Sequence, residues 1–344
     1  MDLQTVWFII LAFMLIAYVI LDGFDMGAGV IHLLAAKSPA ERRAVLAAIG
    51  PVWDGNEVWL IAAGGVLFFA FPGLYASSFS GFYLPLILVL WLLVFRALGI
   101  EFRNHIRDEM WHSFFDAAFA VSSALLSIFF GAALGNVVRG VPLEPTGYFF
   151  EPLWTDFTPS RDTGILDWYT VLTGITAVVV LSGHGATYIA AKSEGAINLR
   201  ARRIAGAAWW GTVLLTLAGL VATLAIRPEL LANFRAHPGA FAVPASVFLS
   251  LAGMAYFLAR GRDTAAFLAS SLYIAAMLSG AALALYPVLL PATTDPALSL
   301  TIYNSAAPRY GLAGGLAWWS IGIILALAYN VIVYSYHRGK VRVD

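Results

Sequence analysis

The 344-residue chain encodes an all-α polytopic membrane protein with nine transmembrane helices, and three features say so. Of its residues, 60% are apolar and only 12% are charged, about half the charge of a soluble domain, and the mean hydropathy is +0.81. Apolar segments at roughly 5–34, 53–71, 76–100, 114–137, 164–191, 204–226, 242–259, 264–289 and 312–336 each supply about the 20 residues that a bilayer crossing needs. The cationic residues are distributed unequally between the two sides of these segments. Fourteen lie on one side: Lys37, Arg42, Arg43, Arg103, Arg107, Lys192, Arg200, Arg202, Arg203, Arg260, Arg262, Arg338, Lys340 and Arg342. Five lie on the other: Arg139, Arg161, Arg227, Arg235 and Arg309. Positive-inside bias then sets the N-terminus outside and the C-terminus in the cytoplasm, as an odd number of crossings requires.

The first segment resembles a secretory leader in apolarity but not in its flanks. Met1-Asp2-Leu3-Gln4 is acidic, and Asp22-Gly23-Phe24-Asp25 replaces a small-residue cleavage site, so it reads as a retained first helix. Ser38, Pro39 and Glu41 have the N-cap, N1 and N3 chemistry that starts a short cytoplasmic helix. The first, fifth and eighth segments exceed the minimum length, which implies tilt or a helix end outside the bilayer. The outer loops are longer and rich in Pro, Gly and aromatic residues, as in Val141-Pro142-Leu143-Glu144-Pro145. Residues 1–344 read as a single membrane domain, with the helices arranged as two four-helix bundles plus one peripheral helix.

Formal net charge is zero, which argues against nucleic acid as a partner. The absence of cysteine excludes disulfides, thiolate metal sites, iron–sulfur clusters and covalently attached c-type haem.

Function in a membrane helix is read from the polar groups that lipid would reject, because a mid-bilayer charge costs at least about 2.5–3.5 kcal/mol. Asp22 and Asp25 in the first segment, and Asp54 and Glu57 in the second, are pairs at i, i+3 spacing, each on one helix face. All four fall toward the cytoplasmic side, at the level of Arg96 and Glu101 near the inner end of the third segment. One reading is a structural ion-pair layer, with Arg96 neutralising a carboxylate and Asp54 favoured near a helix N-terminus. The other is a proton route from the cytoplasm, since carboxylates in low dielectric can exchange protons near neutrality. Gly23, Gly27, Gly29, Gly64 and Gly65 are expected to let helices approach closely. Trp209, Trp210, Trp318 and Trp319 suit interfacial belts.

Of six histidines, His105, His112, His237 and His337 lie in loops or at helix ends, and His32 near the inner end of the first helix. Only His184 is well inside a segment. A bis-histidine haem needs a second facing ligand, and only Met26 or Met277 offers itself as an alternative partner. His184 therefore reads as a packed polar residue in preference to a haem ligand, and no cofactor is expected on this chain alone. No metal site is expected either.

The run Leu21-Asp22-Gly23-Phe24-Asp25-Met26-Gly27 resembles the first-helix signature of cytochrome bd oxidase subunit II. Trp53-Asp54-Gly55-Asn56-Glu57-Val58-Trp59-Leu60 resembles its second signature, followed by Ala63-Gly64-Gly65. Phe79-Ser80-Gly81-Phe82-Tyr83, Phe95-Arg96, Gly185-Ala186-Thr187-Tyr188 and Tyr286-Pro287 follow in family order over the whole length. The resemblance implies a nine-helix subunit of a bacterial inner-membrane quinol oxidase that reduces oxygen to water. It implies a heterodimer with subunit I, which carries two b-type haems, one d-type haem and the quinol-oxidising loop. It further implies that Asp54 matches an acidic residue of a cytoplasmic proton route, that Asp25 and Asp22 match the other acidic positions, and that Arg96 matches the intramembrane arginine. Small single-helix accessory subunits, lipid and a structural quinone are further companions it suggests. Glu57 and His184 stand where some members have Gln, and the shorter outer loops are similar to those of the short, cyanide-insensitive type.

Two other functions compete on the residues themselves. An ion-coupled secondary transporter would use Asp22, Asp25 and Asp54 as its coupling site, but transporters usually show inverted repeats and broken helices at the midplane. A pure assembly scaffold would use the same charges without moving protons.

Overall fold

The computed structural model describes residues 1–159 and 163–341; Arg161 and Arg342, counted above in the charge asymmetry, lie outside them. Among the described residues the chain is a helical bundle built around its first helix, α1 (Leu3–Ala35). Asp2 caps α1 by accepting from the Thr5 amide, and Ser38 and Glu41 close the expected capping box on α2 (Pro39–Ile49). There follow α3 (Trp53–Ala70), α4 (Pro72–Gly81), α5 (Tyr83–Phe102), α6 (Glu109–Arg139), α7 (Trp168–Lys192), α8 (Gly195–Ile226), the short α9 (Ala232–Ala236), α10 (Ala242–Ala259), α11 (Asp263–Leu285) and α12 (Arg309–Tyr336).

Eight of these helices are individually long and apolar enough to cross a membrane; α3 and α4, bent by 120° at their junction, make a ninth if taken together. The bend corrects the expected third segment, 76–100. Phe71 leaves helical geometry (φ −132°, ψ 63°) and Pro72 starts a new helix, so residues 76–81 belong to α4. Hydropathy also misjudged two ends. α8 begins at Gly195, nine residues before the apolar run at 204, because Arg200, Arg202 and Arg203 are good helix formers even where lipid ends. The eighth segment stops at Leu285; beyond it β1 (Val288–Leu290) pairs antiparallel with β2 (Leu300–Thr301) in the outer segment.

α1, α3, α5 and α6 pack as one set and α7, α8, α10 and α11 as another, joined where α6 and α1 meet α7 and where α1 meets α11. A small-residue crossing makes the α1–α7 contact close: a Cβ on Gly27 would stand 1.9 Å from Leu181 O, and one on Gly185 2.3 Å from the Ala28 amide nitrogen. Gly64 and Gly65 were expected to serve the same purpose, but a Cβ on either would meet nothing within 4 Å. α12 lies apart. It packs on α1, buries only Leu312, and is separated from α3 by a groove of about 720 Å³ lined by Trp7, Trp59, Phe69, Trp318 and Trp319 among others.

Candidate functional site

Four of the polar residues singled out in the sequence meet in the core of the first helix set. Spacing of i, i+3 and i, i+4 puts Tyr18, Asp22, Asp25, Gly29 and His32 on one face of α1. That face is buried, because α3, α6 and α7 all pack on α1. From α5, fully buried Arg96 reaches between Asp22 and Glu57, with Nη2 2.7 Å from Asp22 Oδ1 and 3.0 Å from Glu57 Oε2. The guanidinium therefore serves two carboxylates, where the sequence suggested one. Glu57 stays partly exposed, with 20% of its side chain accessible.

Asp25 is held differently. Asn56 Nδ2 donates to Asp25 Oδ2 at 2.7 Å and to Leu21 O at 3.2 Å. Tyr334 of α12 donates its hydroxyl to Asn56 Oδ1 at 2.9 Å. Asn56 is fully buried, and all its polar atoms are occupied.

The cluster is incompletely satisfied. Asp22 Oδ1 is at ion-pair distance from Arg96, but neither Asp22 oxygen accepts a hydrogen bond. Asp25 Oδ1, Tyr18 Oη, Arg96 Nε and Arg96 Nη1 are also buried and without protein partners. Buried polar atoms are ordinarily paired, so such a string marks a place for ordered water or for exchangeable protons.

Two predicted residues stand apart from this core. Asp54 is exposed and lines the groove beside α12, together with Tyr329 and Asn330. Glu101 is exposed and accepts from Trp53 Nε1 at 3.2 Å. The expected single layer is thus a buried cluster of Asp22, Asp25, Glu57 and Arg96 with two carboxylates at the surface around it. His184 is buried between α1 and α11, Nδ1 2.7 Å from Ser270 Oγ and Nε2 2.9 Å from Ile20 O, with its ring stacked on Phe267. Both nitrogens are engaged, so the side chain fits a packed polar role and does not fit a haem ligand. Among the described residues no group of three or more His, Asp or Glu is arranged to hold a metal.

Two further ionic clusters went unread in the sequence. Asp116 of α6 binds His32 Nε2 at 2.7 Å, Arg103 Nε at 2.5 Å and Arg42 Nη1 at 3.0 Å. Its signal was present: a carboxylate two positions inside the apolar segment 114–137. On the opposite side of the bundle Arg139 bonds Asp167, both oxygens of Glu151 at 2.8 and 3.0 Å, Asn136 Oδ1 at 2.7 Å, and the carbonyls of Gly140 and Gly164. Burial raises the Glu151 carboxyl above its ordinary value despite the opposing pull of Arg139. Neither cluster follows from spacing alone, since their members are brought together by packing of distant segments.

Comparison with known proteins places this geometry in context. The model of a family described as cytochrome bd terminal oxidase subunit II matches residues 3–337. The chain is 31% identical over 376 aligned residues to cytochrome bd-I ubiquinol oxidase subunit 2 of Escherichia coli (strain K12), covering 98% of this chain and 95% of that protein. It is 27% identical to cytochrome bd ubiquinol oxidase subunit 2 of Bacillus subtilis (strain 168), covering 90% and 88%. A solved structure of bd oxidase from Geobacillus thermodenitrificans shares the fold, with a TM-score of 0.74 over 98% of this chain and 99% of that one, at 18% identity.

Proposed function

This chain belongs to the cytochrome bd terminal oxidase subunit II family, and from that premise we propose that it supplies protons from the cytoplasm to the oxygen-reducing centre of its complex. It is a multi-pass inner-membrane subunit of a terminal oxidase. We infer nine crossings, with α3 and α4 as one bent span, the N-terminus outside, the C-terminus cytoplasmic, and 1–344 as one membrane domain of two four-helix bundles and peripheral α12. Its partner is subunit I, where the two b-type haems and the d-type haem reside; those haems pass electrons from quinol to oxygen. The chain's own histidines support that division, since His184 has no free nitrogen to give. The tryptophan-lined groove beside α12, about 720 Å³, suits the structural quinone in apolarity, and small single-helix subunits complete the assembly.

One observation carries the proton reading: one guanidinium pairs with Asp22 and Glu57 while Asp25, buried on the same face of α1, is held only by Asn56, in a core where several polar atoms have no protein partner. Arg96 cannot neutralise Asp22, Asp25 and Glu57 together, so the surplus is met by protons or water. In this reading Asp54, at the groove, takes up the proton. Glu57, one turn along α3 and with 20% of its side chain accessible, passes it to Asp22 and Asp25. Arg96 holds the buried charges together.

Carboxamide variants test it. Asp25→Asn and Asp54→Asn keep shape and hydrogen bonding but cannot exchange a proton. Each is expected to give a complex with normal haem content and oxygen consumption lowered at least about a hundredfold, the lower range for loss of a positioned proton-transfer group; Asp54→Glu retains part of the activity. A parallel fall in haem content and activity marks a scaffold role instead. Wild-type turnover in fully assembled Asp54→Asn removes Asp54 from the route.

A further inference from the structure

α12 is attached lightly, yet one of its side chains reaches the buried carboxylates. Along its 28 residues only Leu312 is buried, and the groove keeps much of its length off α3. Two side-chain hydrogen bonds link its helical residues to the bundle, and just past its end Lys192 of α7 donates to the C-cap carbonyl of His337 at 2.6 Å. Near its outer end Trp7 Nε1 donates to Leu312 O at 3.1 Å, and near its inner end Tyr334 donates to Asn56.

The second bond has chemical consequences that the first lacks. Asn56 has one amide to place. Its Nδ2 faces two acceptors, Leu21 O and Asp25 Oδ2, and its Oδ1 receives the Tyr334 hydroxyl. An amide N–H pointing at Asp25 stabilises the ionised carboxylate; an amide oxygen there would require the protonated acid. Tyr334 therefore completes the arrangement that presents a donor to Asp25. The other groups around Asp25 are Asp22 on its own helix, Glu57 on α3, Arg96 on α5 and Tyr188 on α7. Tyr188 is already committed, donating to Ala48 O at 3.0 Å.

We propose that Tyr334 and Asn56 are positioning residues for Asp25, a relay through which the seating of α12 on the bundle sets the protonation of a buried carboxyl. Anything that shifts α12, such as an occupant of the groove or the docking of a partner subunit, then acts on Asp25 without touching it. The relay deepens the proton reading given above and rests on it for its functional meaning, but its geometry is testable alone.

Tyr334→Phe keeps the ring and removes the hydroxyl. In the purified complex, haem content and yield are expected to match wild type. The infrared carboxyl band identified by its loss in Asp25→Asn should change in intensity, and the pH profile of oxygen consumption should move, with turnover at neutral pH altered roughly fivefold, the worth of one neutral hydrogen bond. Asn56→Ala removes the whole relay and should change the same band more. A band and pH profile unchanged in both variants overturn the relay. If Asp25→Asn itself turns over normally, proton transfer through Asp25 fails, while the band in Tyr334→Phe still decides whether Tyr334 and Asn56 set that carboxyl.

Discussion

Arg96 and Arg139 are both buried arginines that face carboxylates, and they are built to opposite standards. Arg139 spends every donor: Nε on Gly140 O, Nη1 on Gly164 O and Asp167, Nη2 on Asn136 and Glu151. Arg96 uses Nη2 alone, leaving Nε and Nη1 without protein partners beside carboxylates that are themselves short of donors. A fully bonded guanidinium fixes geometry. An under-bonded one among surplus carboxyl groups leaves valences for water and protons. The outer cluster ties α6 to the loop leading into α7, whereas the inner one sits where α1, α3 and α5 meet and keeps donors and acceptors without protein partners.

The largest expected effect is at Arg139. Arg139→Met removes one cation from a knot of two buried carboxylates, at about 3–5 kcal/mol. The detergent-solubilised complex should lose assembly yield and thermal midpoint, and Arg139→Lys should rescue little, because an ammonium cannot reproduce the fork of directed N–H donors. Good rescue by lysine would show that charge alone matters there. At Arg96 the order reverses. Arg96→Leu should harm assembly strongly, for it strands Asp22 and Glu57, but Arg96→Lys should restore most of the yield because only one nitrogen is in use. Equal, near-normal yields for Leu and Lys would show that Arg96 has no buried partners to lose.

Sequence patterns carried the inner cluster further than the outer one for a physical reason. Asp22, Asp25, Glu57 and Arg96 each interrupt an apolar run, so lipid exclusion flags them one at a time, and helix periodicity brings Asp22 and Asp25 to one face. Arg139, Glu151 and Asp167 lie at helix ends and in a loop, where charge is ordinary, and only the packed chain reveals that they are buried. Asp54 differs from the expected buried layer in its exposure. It lies at the start of an apolar run, but helical rotation turns it to the groove while Asn56, two positions on, takes the place against Asp25. Asn56 stood in the second signature without a role of its own and Tyr334 gave no signal, and nothing in the sequence pairs two neutral groups 278 residues apart. Spans were legible wherever apolarity and helix coincide. They diverge at Pro72, where proline chemistry ends a helix inside an apolar stretch, and at α8, where helix continues into charged sequence.

The smallest effect calibrates both arginines against a pair at the partly exposed edge of the bundle. Arg200 bonds Glu41 Oε1, and Glu41 also closes the α2 capping box by accepting from the Lys37 and Ser38 amides. Burial, slight as it is, raises the Glu41 carboxyl, but these bonds outweigh it and hold the group below its ordinary value. The sign follows: the contribution is complete above the unfolded-state value and is lost as pH falls through the depressed folded value. Glu41→Gln should therefore cost about 1 kcal/mol or less at neutral pH, since solvent and salt reach and screen this partly exposed pair. The difference between wild type and variant should shrink as the medium is acidified. Thermal midpoints of the two proteins measured across that range give the test. A Glu41→Gln loss as large as that of Arg139→Met would mean that burial is not what separates the structural arginine from an ordinary surface pair, and the contrast between the two buried clusters would then need another cause.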